Sequence, residues 1–179
     1  MGANTPLGDR GMRIFLIGFM GSGKSHWGGL LSEKLSLPFF DLDEQVTTHA
    51  GKSIVEMFTS EGEEYFRLQE KDVLHAITEN HDSFVMACGG GSPCYFNNIE
   101  YMNLSGTTIW INTPVDTIFQ RLINEKEKRP LIKELSDEQL KRFINKKFAD
   151  RKIYYEQADI TVDEEPVLLE KLIEKIFHA

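Results

Sequence analysis

The sequence predicts an α/β domain built on a parallel sheet with helices on both faces. Five short strand-like runs alternate with segments whose apolar residues recur at helical spacing, the pattern of strands joined by crossover helices. The first run, RIFLI at Arg13–Ile17, is almost wholly apolar, as a strand buried on both faces is. It then enters a glycine-rich turn followed by an amphipathic segment.

The elements follow in order. Residues 1–11 read as a loose tail, of native or vector origin, ahead of a single domain spanning 12–179. After the Arg13–Ile17 strand and its turn, Trp27, Leu30, Leu31 and Leu35 mark a helix. Residues 38–42 (PFFDL) form a second strand ending in acids. Ser53 is a helix N-cap, with Glu56 completing a capping box before Met57 and Phe58. A longer helix from about Glu63 carries Phe66, Val73, Leu74 and Ile77 on one face. Residues 83–87 (SFVMA) form a third strand that runs into Gly89, Gly90 and Gly91, and TTIWI at 107–111 a fourth. Thr113 is the expected cap of the helix bearing Ile118 and Leu122. Residues 124–135, charged and containing Arg129-Pro130, read as a loop. Ser136 caps a helix that continues past Arg151, and 159–162 is a last strand. The final helix turns Leu168, Leu169, Leu172, Ile173 and Ile176 inward. Ligands of such sheets bind beyond the carboxyl ends of the strands.

Composition narrows the function classes. The 179 residues suit one domain, with 41% hydrophobic and 27% charged residues. A formal charge of −8 argues against nucleic-acid or anionic-membrane partners, so an anionic ligand would need a few local arginines. No apolar run reaches bilayer length and residues 1–11 hold no signal-peptide core. A cytoplasmic monomer is expected. Cys88 and Cys94 fit neither zinc nor disulfide spacing. Trp27 and Trp110 fall at core-facing positions, and the five histidines are scattered, suggesting no histidine catalysis.

The strongest motif is Gly18-Phe-Met-Gly21-Ser22-Gly23-Lys24-Ser25, a complete G-x-x-x-x-G-K-[ST] between a strand and a helix. Its glycines let the backbone curl so that N–H groups face phosphate oxygens, at the positive end of a helix. Lys24 is expected to bridge the β- and γ-phosphates of ATP and Ser25 to ligate Mg²⁺. Gly21, Ser22, Gly23 and His26 complete the expected nucleotide contacts.

Missing parts select among phosphate-loop proteins. A regulatory GTPase needs D-x-x-G and N-K-x-D; the first is absent, and Asn145-Lys146-Lys147-Phe148 lacks the final acid. A motor ATPase usually has an acid ending a core strand, but the third and fourth strands end in Cys88-Gly89 and Asn112-Thr113. The strand-end acids are Asp41 and Asp43. Both are expected beyond the strand tip on opposite sides of the backbone, one facing a metal and one an acceptor hydroxyl, or else as a solvated turn with Asp43 as a helix cap. Arg67 and Arg151 offer planar forks for a carboxylate. Gly89–Gly91 permit close approach of the backbone to a ligand. Arg129, stiffened by Pro130, suits a loop that closes on phosphates.

Together these segments resemble the shikimate kinases over nearly all of 12–179. The matching pieces are the P-loop, the D-L-D of Asp41–Asp43, the S-I-x-E-M-F…G-E-x-x-F-R stretch from Ser53 to Arg67, Gly89–Gly91, the R-P-L of Arg129–Leu131 and the D-R-x-x-x-Y of Asp150–Tyr155. His26, where threonine is usual, and Cys88 before the glycines depart from the family pattern. The resemblance implies a three-layer P-loop fold with a five-stranded parallel sheet in order 2-3-1-4-5, a substrate-binding region at about 43–80 and a lid at about 124–135. It implies ATP-dependent phosphorylation of shikimate to shikimate 3-phosphate, in aromatic amino-acid synthesis. It also implies that Asp43 is catalytic with Lys24, and that Asp43, Arg67, Gly89, Gly90, Gly91 and Arg151 bind shikimate. Arg129 then reaches ATP phosphates, Arg121 lies on the adenine side, and Asp41 serves Mg²⁺ through water. The rival readings are a gluconate- or nucleoside-monophosphate-type kinase and a non-catalytic nucleotide-dependent regulator.

Overall fold

The computed structural model describes residues 11–163 and 168–178. The expected tail, apart from Gly11, lies outside the described residues. Strand β1 (Arg13–Ile17) leads through the glycine turn into α1 (Lys24–Leu35), and β2 (Phe39–Asp41) is followed by α2 (Leu42–Ala50), α3 (Ile54–Ser60) and α4 (Glu63–Asn80). Next come β3 (Phe84–Ala87), a 3₁₀ turn at Ser92–Cys94 and α5 (Asn98–Ser105), then β4 (Thr107–Ile111) and α6 (Val115–Glu125). A second 3₁₀ turn at Lys126–Lys128 precedes α7 (Asp137–Tyr155), β5 (Ile160–Val162) and α8 (Leu169–Phe177). The strands form one sheet in the expected order β2-β3-β1-β4-β5, with every neighbouring pair parallel.

The pleat divides the core in two. Phe15 and Ile17 of β1 join Phe84, Met86 and Trp110 against α2, α4, α6 and α7. Ile14 and Leu16 join Val85, Ile109, Ile111 and Val162 against Leu31 of α1 and Leu172 and Ile176 of α8. All four of these β1 side chains are fully buried, and truncating one to alanine costs ~2–5 kcal/mol. Because β1 is flanked by β3 and β4, its carboxyl end, where the phosphate loop begins, lies at the middle of the sheet.

The expected capping box forms at Ser53 with Glu56, and the expected cap Ser136 also makes one with Gln139. Several expectations need correction. The acids of β2 are not both strand residues: Asp41 ends the strand and caps α2, its Oδ1 accepting from Glu44 N at 3.3 Å. Asp43 therefore stands in the first turn of a helix, and helix geometry rather than strand alternation separates the two carboxylates. Helix α6 runs to Glu125, into the segment read as loop. Thr113 is not its cap; its hydroxyl donates to Ser22 O at 3.1 Å and ties α6 to the phosphate loop. Leu168 is the exposed N-cap of α8 rather than a core residue. Trp27 is only half-buried.

Candidate active site

The phosphate loop takes its shape from left-handed glycines at Gly21 (φ 77°) and Gly23 (φ 94°), the latter directly before α1. Lys24 is buried, and its Nζ donates to Gly18 O and Phe19 O at 2.8 and 2.9 Å. Burial lowers its pKa to about 8, partly offset by Asp43. Among the described residues no carboxylate pairs with it. A desolvated cation held only by carbonyls, beside a curled backbone at a helix N-terminus, fits a polyphosphate. Ser25 Oγ donates to Asp41 Oδ2 at 2.8 Å. A hydroxyl and a carboxylate in contact are hard oxygen donors that suit Mg²⁺, which takes few protein ligands and keeps several waters. Arg121 Nη1 donates to Gly21 O at 2.9 Å on the α6 side of the loop.

A cavity of about 480 Å³ opens over this loop, lined by Lys24, Ser25, His26, Asp41, Arg121 and Glu125 among others. A smaller one of about 170 Å³ is lined by Arg67, Glu70, Gly91, Arg151, Phe58 and Leu131 among others. Asp43, Gly89, Gly90 and Arg129 line both. The two chambers thus meet at a carboxylate and a guanidinium. Burial, with Glu70 and Asp41 nearby, raises the Asp43 pKa to about 6, against the pull of Lys24 and Arg67.

Each glycine of the triplet is packed on a different charged side chain. A Cβ on Gly89 would lie 2.9 Å from Asp43 Oδ1, one on Gly90 3.1 Å from Arg151 Nη1, and one on Gly91 2.5 Å from Arg67 Nη2. The backbone approach expected of this triplet is therefore made to the groups that line the smaller chamber. Arg67 is nearly fully buried and donates from Nη1 to Glu70 Oε1 at 2.9 Å. Arg151 lies over the Phe19 ring at 5.5 Å and has no carboxylate partner among the described residues. Tyr155, from the same helix, donates to Gly90 O at 2.5 Å and anchors the triplet.

Of the expected site residues, Gly21, Gly23, Lys24, Ser25, His26, Asp41, Arg121 and Arg129 line the large chamber. Ser22 does not reach it: the residue is buried and its Oγ has no partner among the described residues. Arg129 is held by Glu125, whose Oε2 accepts from Nε and Nη2 at 2.9 and 2.7 Å. The sequence reading missed Glu70, which also accepts from Ser92 Oγ at 2.6 Å. It missed Glu125 and Tyr95 as well. Glu70 sits three residues beyond Arg67 on one helix, a spacing that pairs side chains; nothing pointed to Tyr95.

The shikimate kinase family model matches residues 20–179. A shikimate kinase of Azobacteroides pseudotrichonymphae is 41% identical, over 92% of this chain and 96% of its own length. The crystal structure of shikimate kinase from Bacteroides thetaiotaomicron superposes with a TM-score of 0.84 at 34% identity, covering 93% of this chain and 97% of that one. Shikimate kinase from Acinetobacter baumannii in complex with shikimate gives 0.79 at 31% identity, covering 94% and 92%. The chain belongs to the shikimate kinase family.

Proposed function

We propose that the chain transfers the γ-phosphoryl group of ATP to a hydroxyl of shikimate, giving shikimate 3-phosphate and ADP. The observation that carries this reading is the place of Asp43, at the junction of the phosphate-loop chamber and the arginine-lined chamber. ATP lies over the loop, with its phosphates on the backbone N–H groups and Lys24. Arg67 and Arg151 hold the shikimate carboxylate, the glycine triplet shapes the floor, and Asp43 accepts a hydrogen bond from the attacking hydroxyl. In a loose phosphoryl transfer the base need only orient that hydroxyl and take its proton late. Ser25 and, through a water, Asp41 would hold Mg²⁺, which would supply charge neutralisation for the phosphates. Residues 124–135 act as a lid: Arg129 leaves Glu125 for the phosphates as the lid closes and excludes water.

The test is a coupled assay of ADP release with ATP and a panel of shikimate, gluconate and nucleoside monophosphates. Turnover with shikimate alone is expected. Faster turnover with gluconate or a nucleotide overturns the acceptor, and slow ATP loss unaffected by any acceptor overturns the kinase reading.

A further inference from the structure

Arg67 is braced on more sides than a substrate arginine needs for charge alone. Glu70 holds Nη1, and the rings of Tyr95 and Phe66 lie 4.3 and 5.0 Å from its guanidinium carbon. A second carboxylate, Glu63, stands one helical turn before it on α4 and reaches Nη2 at 3.5 Å. Glu63 is half-exposed, and its Oε1 already accepts a long hydrogen bond from Nη2. If that contact shortened, Glu63 would occupy the edge of Arg67 that an acceptor carboxylate must use. It is restrained by Tyr95, whose hydroxyl donates to the same Glu63 Oε1 at the shorter distance of 3.0 Å. Oε1 is thus shared between the two, with the shorter bond to Tyr95.

The segment bearing Tyr95 is built to hold it there. Ser92 Oγ donates to Glu70 at 2.6 Å, and the fully buried Asn98 donates from Nδ2 to Ser92 O and from N to Tyr95 O, both at 2.9 Å. Between these anchors Phe96 and Asn97 take left-handed conformations, φ 50° and 55°. A bulky residue rarely adopts that region unless the surroundings impose it, and such residues gather at functional sites. Phe96 is exposed, so packing of its own ring is not the reason. The reversal instead carries the chain from Tyr95 into α5 while the Tyr95 ring stays over Arg67.

We propose that Tyr95 is a positioning residue for acceptor binding: its ring fixes the plane of the Arg67 guanidinium, and its hydroxyl, by taking Glu63 Oε1 at the shorter distance, keeps the contact between Glu63 and Arg67 Nη2 long. This rests on the reading of Arg67 as a ligand of the acceptor carboxylate. The role is one of orientation, so it acts on acceptor affinity rather than on the chemical step.

The experiment is steady-state kinetics with shikimate and ATP varied separately for Y95F, E63Q, Y95F/E63Q and R67A. Removing the hydroxyl in Y95F frees Glu63; KM for shikimate should rise on the order of 3–10-fold, the weight of one hydrogen bond. KM for ATP and kcat should move much less. In Y95F/E63Q the competing charge is gone, and KM for shikimate should return to near the wild-type value. An unchanged KM in Y95F, or a double variant as impaired as Y95F, overturns the proposal, as does an equal loss in kcat and in both KM values. R67A separates the layers. If it raises KM for shikimate strongly while Y95F does not, only the role of Tyr95 fails. If R67A leaves that KM alone, the assignment of Arg67 fails and this inference with it. Should Y95F prove unstable by thermal melting, E63Q alone decides: its KM for shikimate should equal or fall below wild type, and a rise overturns the proposal.

Discussion

Ser25 Oγ donates to Asp41 Oδ2 at 2.8 Å, so the first turn of α1 and the end of β2 meet at a pair of oxygen donors. Asp41 has two tasks: Oδ2 faces Ser25 and Oδ1 caps α2. Asparagine caps helices as well as aspartate does. D41N should therefore keep the fold and lose the negative charge beside Ser25. The Mg²⁺ concentration for half-maximal rate should rise ~10–100-fold, as for other outer-shell changes, with KM for shikimate little altered. A Mg²⁺ titration of the variant showing no shift removes Asp41 from the metal side.

Lys24 should prove indispensable for rate and dispensable for folding. Its ammonium is buried and held by two main-chain carbonyls, and burial already pushes its pKa down. Lys24→Ala should cut kcat by at least ~10²–10³-fold, the range for losing a preorganised charge at a developing anion. The melting temperature should not fall with it. Unchanged turnover would sink the phosphate-loop assignment.

The glycine triplet gives a second separation. Gly91→Ala would place a Cβ 2.5 Å from Arg67 Nη2, forcing the guanidinium off its present plane. Arg151→Lys keeps the charge but loses the planar fork. Both variants should raise KM for shikimate by roughly tenfold or more, since hydrogen bonds to charged groups carry ~1.5–3 kcal/mol. KM for ATP should stay close to wild type. A larger change in KM for ATP would move these residues to the nucleotide side.

The residues proposed to face ligands were easier to read than the residues that hold them in place. The G-x-x-x-x-G-K-S run specifies its own turn, because glycine spacing, strand and helix all agree. Asp41 and Asp43 were found for a wrong geometric reason. Leu42 and Val46 are the buried residues of α2, too faint a period to reveal a helix starting between the two acids. Helix α5 was missed likewise, its buried face resting on Asn98, Ile99 and Met102. Glu125 was absorbed into a supposed loop, although it precedes Arg129 by four residues. Tyr95 had no local mark, since its place depends on positive φ at Phe96 and on contacts to α4 more than thirty residues away.

Asp43 joins the two chambers and carries the clearest dependence on pH. Its pKa is raised from 3.8 to about 6, chiefly by burial, so the acid form persists further towards neutrality than for an exposed aspartate. A base must be ionised to accept a proton, hence kcat/KM for shikimate should fall as pH drops through about 6. Lys24 must be protonated to serve the phosphates, and in the free enzyme it loses its proton near pH 8. The profile of kcat/KM for ATP should therefore fall on the alkaline side. The same shift bears on stability. The folded state binds the Asp43 proton more tightly than the unfolded chain, so stability declines as pH rises between about 4 and about 6. At neutral pH the ionised carboxylate costs up to ~3 kcal/mol, at 1.36 kcal/mol per pKa unit. D43N removes that cost together with the base. It should lower kcat by ~10²–10⁴-fold and raise the melting temperature at pH 7 by several degrees, at ~2–4 °C per kcal/mol for a chain of this size. At pH 4 the two proteins should melt at nearly the same temperature. A variant with wild-type kcat would show that Asp43 is not the base, and one that melts lower than wild type at pH 7 would show that it is not a carboxylate held at the expense of the fold.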